Sequence, residues 1–206
     1  MPPPKAPESA APTPERAPRW LSRVARRKQL VAAAMPVAAA QGLADFSLDE
    51  VAAGADVTRN LLYHYFPRGR ADVVVAVAEE AGRRLTGEWI TDESVPLPDR
   101  IAANVGRMVE HAGEPSDAWR IYQLARGSSD PELRETVDRF EGLVIESISL
   151  NRLGTADPPL LARVALQAYL AFFGAALDEA RARSIPAAEL LPLLNETLAT
   201  TLRAGS

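Results

Sequence analysis

From Arg23 onward, apolar residues recur at spacings of three and four along nearly the whole chain, and no sustained stretch alternates apolar with polar between turn signals. Residues three and four apart share one face of a helix, whereas strands alternate with a period of two, so the pattern calls for an all-α fold. The spacing predicts helices at about 22 to 41, 48 to 54, 58 to 66, 71 to 91, 98 to 112, 116 to 126, 131 to 152, 159 to 183 and 187 to 203. Punctuation supports these boundaries: Gly42, Pro67 and Gly154 follow predicted helices, while Pro96, Pro98 and Asp130-Pro131 precede them. Pro36 and Pro192 fall inside two predicted spans, where each removes an internal hydrogen bond and is expected to kink its helix.

Composition then excludes several classes of chemistry. With no cysteine and only His64 and His111 among 206 residues, the chain has no disulfides, no thiolate nucleophile and little to ligate a metal, so neither metal nor cofactor is expected. The formal net charge of −4 conceals an asymmetry, with net +3 over residues 1–72 and −7 over the remainder. The first eighteen residues hold seven of the seventeen prolines and read as a disordered tail, with no apolar run of the signal-peptide kind. The longest apolar stretch, Val164 to Leu177, is closed by Arg163 and Asp178, short of the ~20 residues of a membrane span. A cytoplasmic protein without membrane contact is the expectation.

That stretch is nonetheless too apolar for a helix wetted on one side. The last helix adds Leu190, Leu194, Leu198 and Leu202 at spacing four, with Leu191 alongside. Two such helices pairing with their copies give a four-helix bundle, so residues 159–203 are expected to close a homodimer, with a purely intrachain core as the alternative.

The segment Ser47 to Arg70, SLDEVAAGADVTRNLLYHYFPRGR, carries the functional reading. Ser47 and Glu50 form a capping box in which hydroxyl and carboxylate each satisfy an orphaned backbone donor. The helix so begun ends near Gly54, and Thr58 caps a second short helix that Pro67 terminates. Two short helices across a tight turn are the geometry of a helix-turn-helix. At 100° per residue, Leu62 and Phe66 face inward with Val57, and Tyr65 sits at the margin. Arg59, Asn60, Leu61, Tyr63 and His64 face outward. Those side chains are suited to a major groove: asparagine pairs with adenine, arginine with guanine, an aliphatic group meets the thymine methyl, and tyrosine or histidine bonds phosphate. Leu61 serves equally well pressed on a neighbouring domain. No carboxylate occurs from Val57 to Gly69 to repel the backbone of DNA.

Leu30-Val31-Ala32-Ala33-Ala34, Gly42, Ser47-Leu48, Val51-Ala52, Val57-Thr58 and Leu62-Tyr63-His64-Tyr65-Phe66-Pro67 together resemble the N-terminal domain of the TetR family of transcriptional regulators, in unbroken register over about residues 26 to 73. The resemblance implies an all-helical homodimer with a three-helix DNA-binding domain. It also implies a larger, variable C-terminal domain that binds a small effector and releases operator DNA. The chain departs from the family at four positions. Asp56 stands where a turn glycine is usual, Gly69 where a phosphate-binding lysine is common, Ala38 in place of a phenylalanine, and Phe46 in place of a small polar residue. The division expected is a tail over 1–18, a helix-turn-helix domain over 19–70 and an effector-binding and dimerisation domain over 71–206.

Around this motif, Arg16, Arg19, Arg23, Arg26, Arg27 and Lys28 place six positive charges without an acid among them, as an arm lying along phosphate would. The DNA-binding set is therefore Arg23, Arg26, Arg27, Ser47, Thr58, Arg59, Asn60, Leu61, Tyr63, His64, Arg68 and Arg70. For the effector, Trp89, Met108, Trp119, Tyr122, Phe140 and Phe172 are the candidates to line an apolar cavity, with Tyr169 and Phe173 nearby in sequence. His111, near a helix end, is assigned to structure. An enzyme is disfavoured by the lack of a phosphate-cradling loop, a nucleophile motif or a supported carboxylate pair. A helical interaction module that never touches DNA stays open as an alternative.

Overall fold

The computed structural model describes residues 21–87, 92, 94–113 and 116–205, and within them every regular element is helical. Ser22 caps α1 (Arg23–Gln41), its hydroxyl accepting from the Ala25 amide at 3.1 Å. Next come α2 (Leu48–Gly54) and α3 (Arg59–Tyr65), which complete a three-helix unit. A long α4 (Arg70–Thr86) leads out of it. The C-terminal half comprises α5 (Leu97–Gly113), α6 (Asp117–Arg126), α7 (Pro131–Leu153), α8 (Leu160–Ala182) and α9 (Leu191–Gly205), the last preceded by a 3-10 turn over Ala187–Leu190. The start of α7 is fixed by Asp130, whose carboxylate accepts from the Glu132 and Leu133 amides, with Pro131 in the first turn.

Helix α4 packs against α1 on one side and against α6 and α7 on the other, and α1 itself also meets α6. One hydrophobic cluster therefore runs without a break from Leu30 and Phe46 through Val77 and Trp119 to Leu166 and Leu198. Ala38 and Phe46 are both fully buried in it. A small residue and a large ring thus both belong to the core at the two positions where the sequence departs from the family pattern.

Three sequence expectations need correction. Pro192 is the second residue of α9, after the 3-10 turn, where its missing N–H has no intrahelical partner to lose; it starts a helix and does not kink one. Leu194, Leu198 and Leu202 are buried within the chain, where α9 packs along α8. The leucine stripe is thus consumed internally, and the unpartnered apolar surface lies elsewhere, on α8: Leu161, Val164 and Phe172 are exposed, as is Leu193 of α9. Finally, α8 runs for 23 residues, so it is long and apolar enough to cross a membrane by length and composition. It also packs against α5, α7 and α9, as the core helix of a folded domain does.

Candidate nucleic-acid interface and effector cavity

The turn between α2 and α3 is built from the residues the sequence singles out. Asp56 adopts the left-handed conformation at φ 54°, which short polar side chains tolerate better than most. The Gln29 amide from α1 donates to the Ala55 carbonyl at 2.9 Å and fastens the turn to the core. Thr58 caps α3 by accepting from the Leu61 amide at 3.3 Å, and Ser47 caps α2 by accepting from the Glu50 amide at 3.2 Å. Only half of the expected capping box forms. The Ser47 amide donates to Gln41 Oε1 at 2.8 Å and the Gln41 amide donates to the Glu50 carboxylate at 2.8 Å, so Gln41 at the end of α1 stands between the two partners. The same donors are satisfied, with the gain that α1 is tied to α2.

On α3, Leu62 is wholly buried with Phe66 behind it, and Arg59, Asn60, Tyr63 and His64 are exposed, while Leu61 is half-buried. Asn60 makes no side-chain hydrogen bond among the described residues, so its amide is unencumbered. Arg59 is held in a defined pose. Its guanidinium donates to the Tyr63 hydroxyl at 3.3 Å, lies 5.6 Å from that ring, and forms a two-pronged pair with Asp49 at 2.8 and 3.0 Å. The Tyr63 bond, then Asp49, hold its pKa above the usual arginine range. The helix surface that is free of carboxylates in sequence is therefore not free of them in space, because α2 delivers Asp49 to its leading end. The ring of His64 meets Tyr65 edge-on at 5.4 Å.

The two arginines past α3 are more tightly engaged than the sequence suggests. Arg70 donates to the carbonyls of Phe46 and Ala44 at 3.1 and 2.9 Å, with its guanidinium 5.8 Å from the Phe46 ring. Arg68 pairs with Asp72 at 2.6 Å and reaches across to Glu132 at the start of α7 at 2.8 Å. Glu132 and Asp72 hold its guanidinium well above the ordinary arginine range. Burial works to raise the Asp72 carboxyl, but the amide and guanidinium of Arg68 outweigh it and hold that group below the usual carboxylate range. Between these arginines Gly69 takes φ 62° and ψ −122°, and a Cβ there would lie 2.9 Å from Tyr63 Cε1. Where the family commonly carries lysine, this chain has a backbone conformation suited to glycine, packed on the side chain of a candidate DNA-contacting residue. On α1, Arg23 and Arg27 are exposed, the latter 5.2 Å from the Phe66 ring, and Arg26 donates to Gln29 at 2.7 Å. Arg16 and Arg19 lie outside the described residues, with the tail.

In the C-terminal half a narrow cavity, about 40 Å³ of enclosed space within some 450 Å³ that runs out into solvent, lies between α5, α7, α8 and α9. Its apolar wall includes Val105, Met108, Val144, Ile148, Leu170, Phe173 and Leu198. Its polar lining residues are Asn104, Ser147, Asn151 and Tyr169. Of the expected effector residues, Met108 lines this cavity. Trp119 and Tyr122 pack with Phe140 and Phe173 as an aromatic cluster, ring centroids 5.1 to 6.3 Å apart, in the core between α6, α7 and α8. Phe172 is 37% exposed, its ring 6.5 Å from that of Tyr169, while the neighbouring Phe173 is buried. Trp89 and the side chain of His111 lie outside the described residues. Helical spacing alone did not separate the wall of a cavity from the core beside it.

Sequence reading missed Glu141, 2% exposed in the middle of α7. It accepts from the Tyr122 hydroxyl at 2.7 Å, from Arg126 Nε at 2.9 Å and from the Gln167 amide, joining α6, α7 and α8. Burial, and then this carboxylate, push the Tyr122 phenol far above its ordinary pKa. A lone glutamate on a predominantly polar helix carries no sequence signal of burial.

A short capped helix, displayed on a three-helix base with amide, guanidinium, phenol and imidazole outward, defines a helix-turn-helix DNA-binding domain. Residues 30–77 match the family model for bacterial regulatory proteins, tetR family, so this N-terminal part of the chain is similar to the DNA-binding domain of those regulators. It resembles a tetR-family transcriptional regulator from Streptomyces coelicolor at 25% identity and a TM-score of 0.73, over 87% of this chain and 81% of that one. The fold is also that of a TetR-like transcriptional regulator from Rhodococcus sp. RHA1 (18% identity, TM-score 0.69, 89% and 98% covered). A third neighbour is the fatty acid degradation regulator FadR from Bacillus halodurans (16%, TM-score 0.66, 84% and 97% covered). No curated protein matches the chain. The family and these neighbours are regulators, not enzymes.

Proposed function

We propose that the chain is a ligand-responsive repressor that binds a palindromic operator as a homodimer and lets it go when a small apolar or aromatic effector enters the C-terminal half. The exposed face of α3 carries the reading: Asn60, Tyr63 and His64 stand outward with Arg59 braced at the leading end. Base contacts fall to Asn60 and Arg59, with Leu61 at a thymine methyl. Phosphate contacts fall to Tyr63, His64, the Thr58 and Ser47 helix starts, and Arg23, Arg26 and Arg27. Arg68 and Arg70 act by fixing the entry to α4, and contribute to phosphate binding through their charge.

The exposed apolar residues of α8 support pairing of two copies through residues 159–203, which would hold two α3 helices for successive major grooves about 34 to 36 Å apart. Such a particle works in the cytoplasm. The cavity beside Met108 supports an effector site, and one structural neighbour is named a multidrug binding protein, complexed with imidazole. The test is direct. Operator fragments are selected from random duplex DNA with the purified chain, and binding is measured for wild type and Asn60→Ala by fluorescence anisotropy. Discrimination between selected and random duplex falls by about 1–3 kcal/mol in the variant; an equal loss on both sequences contradicts base readout. Should no sequence be enriched at all, the interaction-module alternative takes over.

A further inference from the structure

The cavity wall also limits what kind of molecule enters it, an inference that rests on the effector reading above. Among the described residues no lysine, arginine, aspartate or glutamate lines it. The net charge of −7 over the second part of the sequence is thus not expressed at this wall. The nearest deeply buried carboxylate of α7, Glu141, is already engaged by Tyr122, Arg126 and Gln167. An ion brought into such a site gives up its hydration and meets no counter-charge on the wall itself; the exposed Arg152, whose field partly offsets burial at the Tyr169 phenol, stands outside the lining.

A pure hydrocarbon is not the best occupant either. Tyr169, on the wall, is 3% exposed, and its hydroxyl is buried with no hydrogen-bond partner. Buried phenol groups of this kind are normally satisfied, and one left without a partner forgoes the bond that desolvation cost it. Burial also pushes the Tyr169 phenol well above its ordinary pKa, so it stays an O–H donor across the physiological range. The carboxamide of Asn151, one turn past Ser147 on α7, supplies further donors and an acceptor on the same wall.

We infer that the effector is an uncharged molecule with an apolar body and one hydroxyl, carbonyl or amide group, which accepts from the Tyr169 hydroxyl inside the cavity between α5, α7, α8 and α9. Cations, carboxylates and phosphates of the same skeleton are excluded from this site by their charge.

A matched set on one skeleton tests this with the full chain: 3-phenylpropan-1-ol, 3-phenylpropanamide, 3-phenylpropanoate, 3-phenylpropylamine and propylbenzene. Binding is read by thermal shift and isothermal titration, with Tyr169→Phe and the cavity-filling Val144→Phe beside wild type. The alcohol and the amide should raise the melting temperature and bind about tenfold more tightly than propylbenzene, the ratio one hydrogen bond supplies. Tyr169→Phe should erase that preference, leave propylbenzene unchanged, and melt no lower than wild type without ligand, since it loses an unpaired group only. Val144→Phe should abolish every shift. If the carboxylate or the amine binds as tightly as the alcohol and Val144→Phe abolishes it, the cavity is an effector site but the neutral class is wrong. If Tyr169→Phe keeps the preference for the alcohol, or is itself destabilised, the anchor is wrong. If no member of the set binds, both this inference and the placing of the effector in this cavity fall.

Discussion

Replacing Gly69 with alanine should damage the protein twice over, and the two costs are separable. The first is conformational. At φ 62° and ψ −122° an alanine is strained by about 1–3 kcal/mol relative to glycine. The second is steric. Its Cβ would lie 2.9 Å from Tyr63 Cε1, where carbons rest at about 3.5–4.0 Å, so the ring must withdraw by at least about half an ångström. Together these amount to ~2–4 kcal/mol, or a fall of about 5–15 °C in melting temperature for a chain of this size. Gly154 is the control. It also has positive φ, at 73°, but a Cβ there meets nothing within 4 Å, so Gly154→Ala should lose only ~1–2 kcal/mol. A Tyr63→Leu background removes the ring that is struck, and the cost of Gly69→Ala should shrink there by about 1 kcal/mol in a double-mutant cycle. Because Arg59 donates to the same tyrosine, the shifted ring should also weaken binding to selected operator more than to random duplex. Calorimetry on the four variants and anisotropy on DNA read these effects. Equal losses at positions 69 and 154, with no coupling to Tyr63, would refute the reasoning.

Alanine at Arg23, Arg26 and Arg27 together should flatten the plot of log affinity against log salt by up to about 2.7, some 0.9 for each phosphate left without its arginine; an unchanged slope would remove this arm from the interface. Val164→Glu with Phe172→Glu should convert a dimer to a monomer in light scattering while helicity stays intact, since both side chains are exposed on one protomer; a dimer that persists would locate the interface elsewhere. Glu141→Leu should cost ~2–4 kcal/mol, because it leaves the buried Tyr122 hydroxyl and the half-buried Arg126 guanidinium without their acceptor, and chemical denaturation will show it. The hydrogen bonds from Arg83 lead in holding the Glu80 carboxyl below its ordinary value of 4.5, against the effect of burial. A depressed folded value stabilises above that pH and the benefit disappears as acid protonates the group, so Glu80→Gln should show a shallower loss of stability between about pH 5 and 3.

The helices were legible because each carries its own period and its own stop. The whole course from α1 to α9 follows the sequence reading within a few residues, and the chief shift, α4 ending at Thr86, falls just before residues outside the described range. The reading head was legible for a similar reason, since cap, turn and inward face are all set by neighbours within about ten residues. What escaped was decided between distant segments. Asp49 reaching Arg59, Glu132 reaching Arg68 and Gln41 entering the capping box are pairings of exposed side chains that no local pattern announces. The cavity wall escaped for another reason: Phe172 and Phe173 are only about 100° apart on α8, and which of the two is buried is set by packing against α9 and α7 that a continuously apolar sequence does not reveal.

Helix α7 has a mechanical corollary. Glu132, near its first residue, grips Arg68 just past α3, while Asn151, in its last turn, belongs to the cavity wall. The nineteen intervening steps make a stiff rod about 28 Å long. A lean of about 5° at the cavity end carries the far end through about 2 Å, comparable with the reach of an ion pair. One lever, with no relay of side chains in between, thus spans the distance from the cavity to Arg68 at the entry of α4.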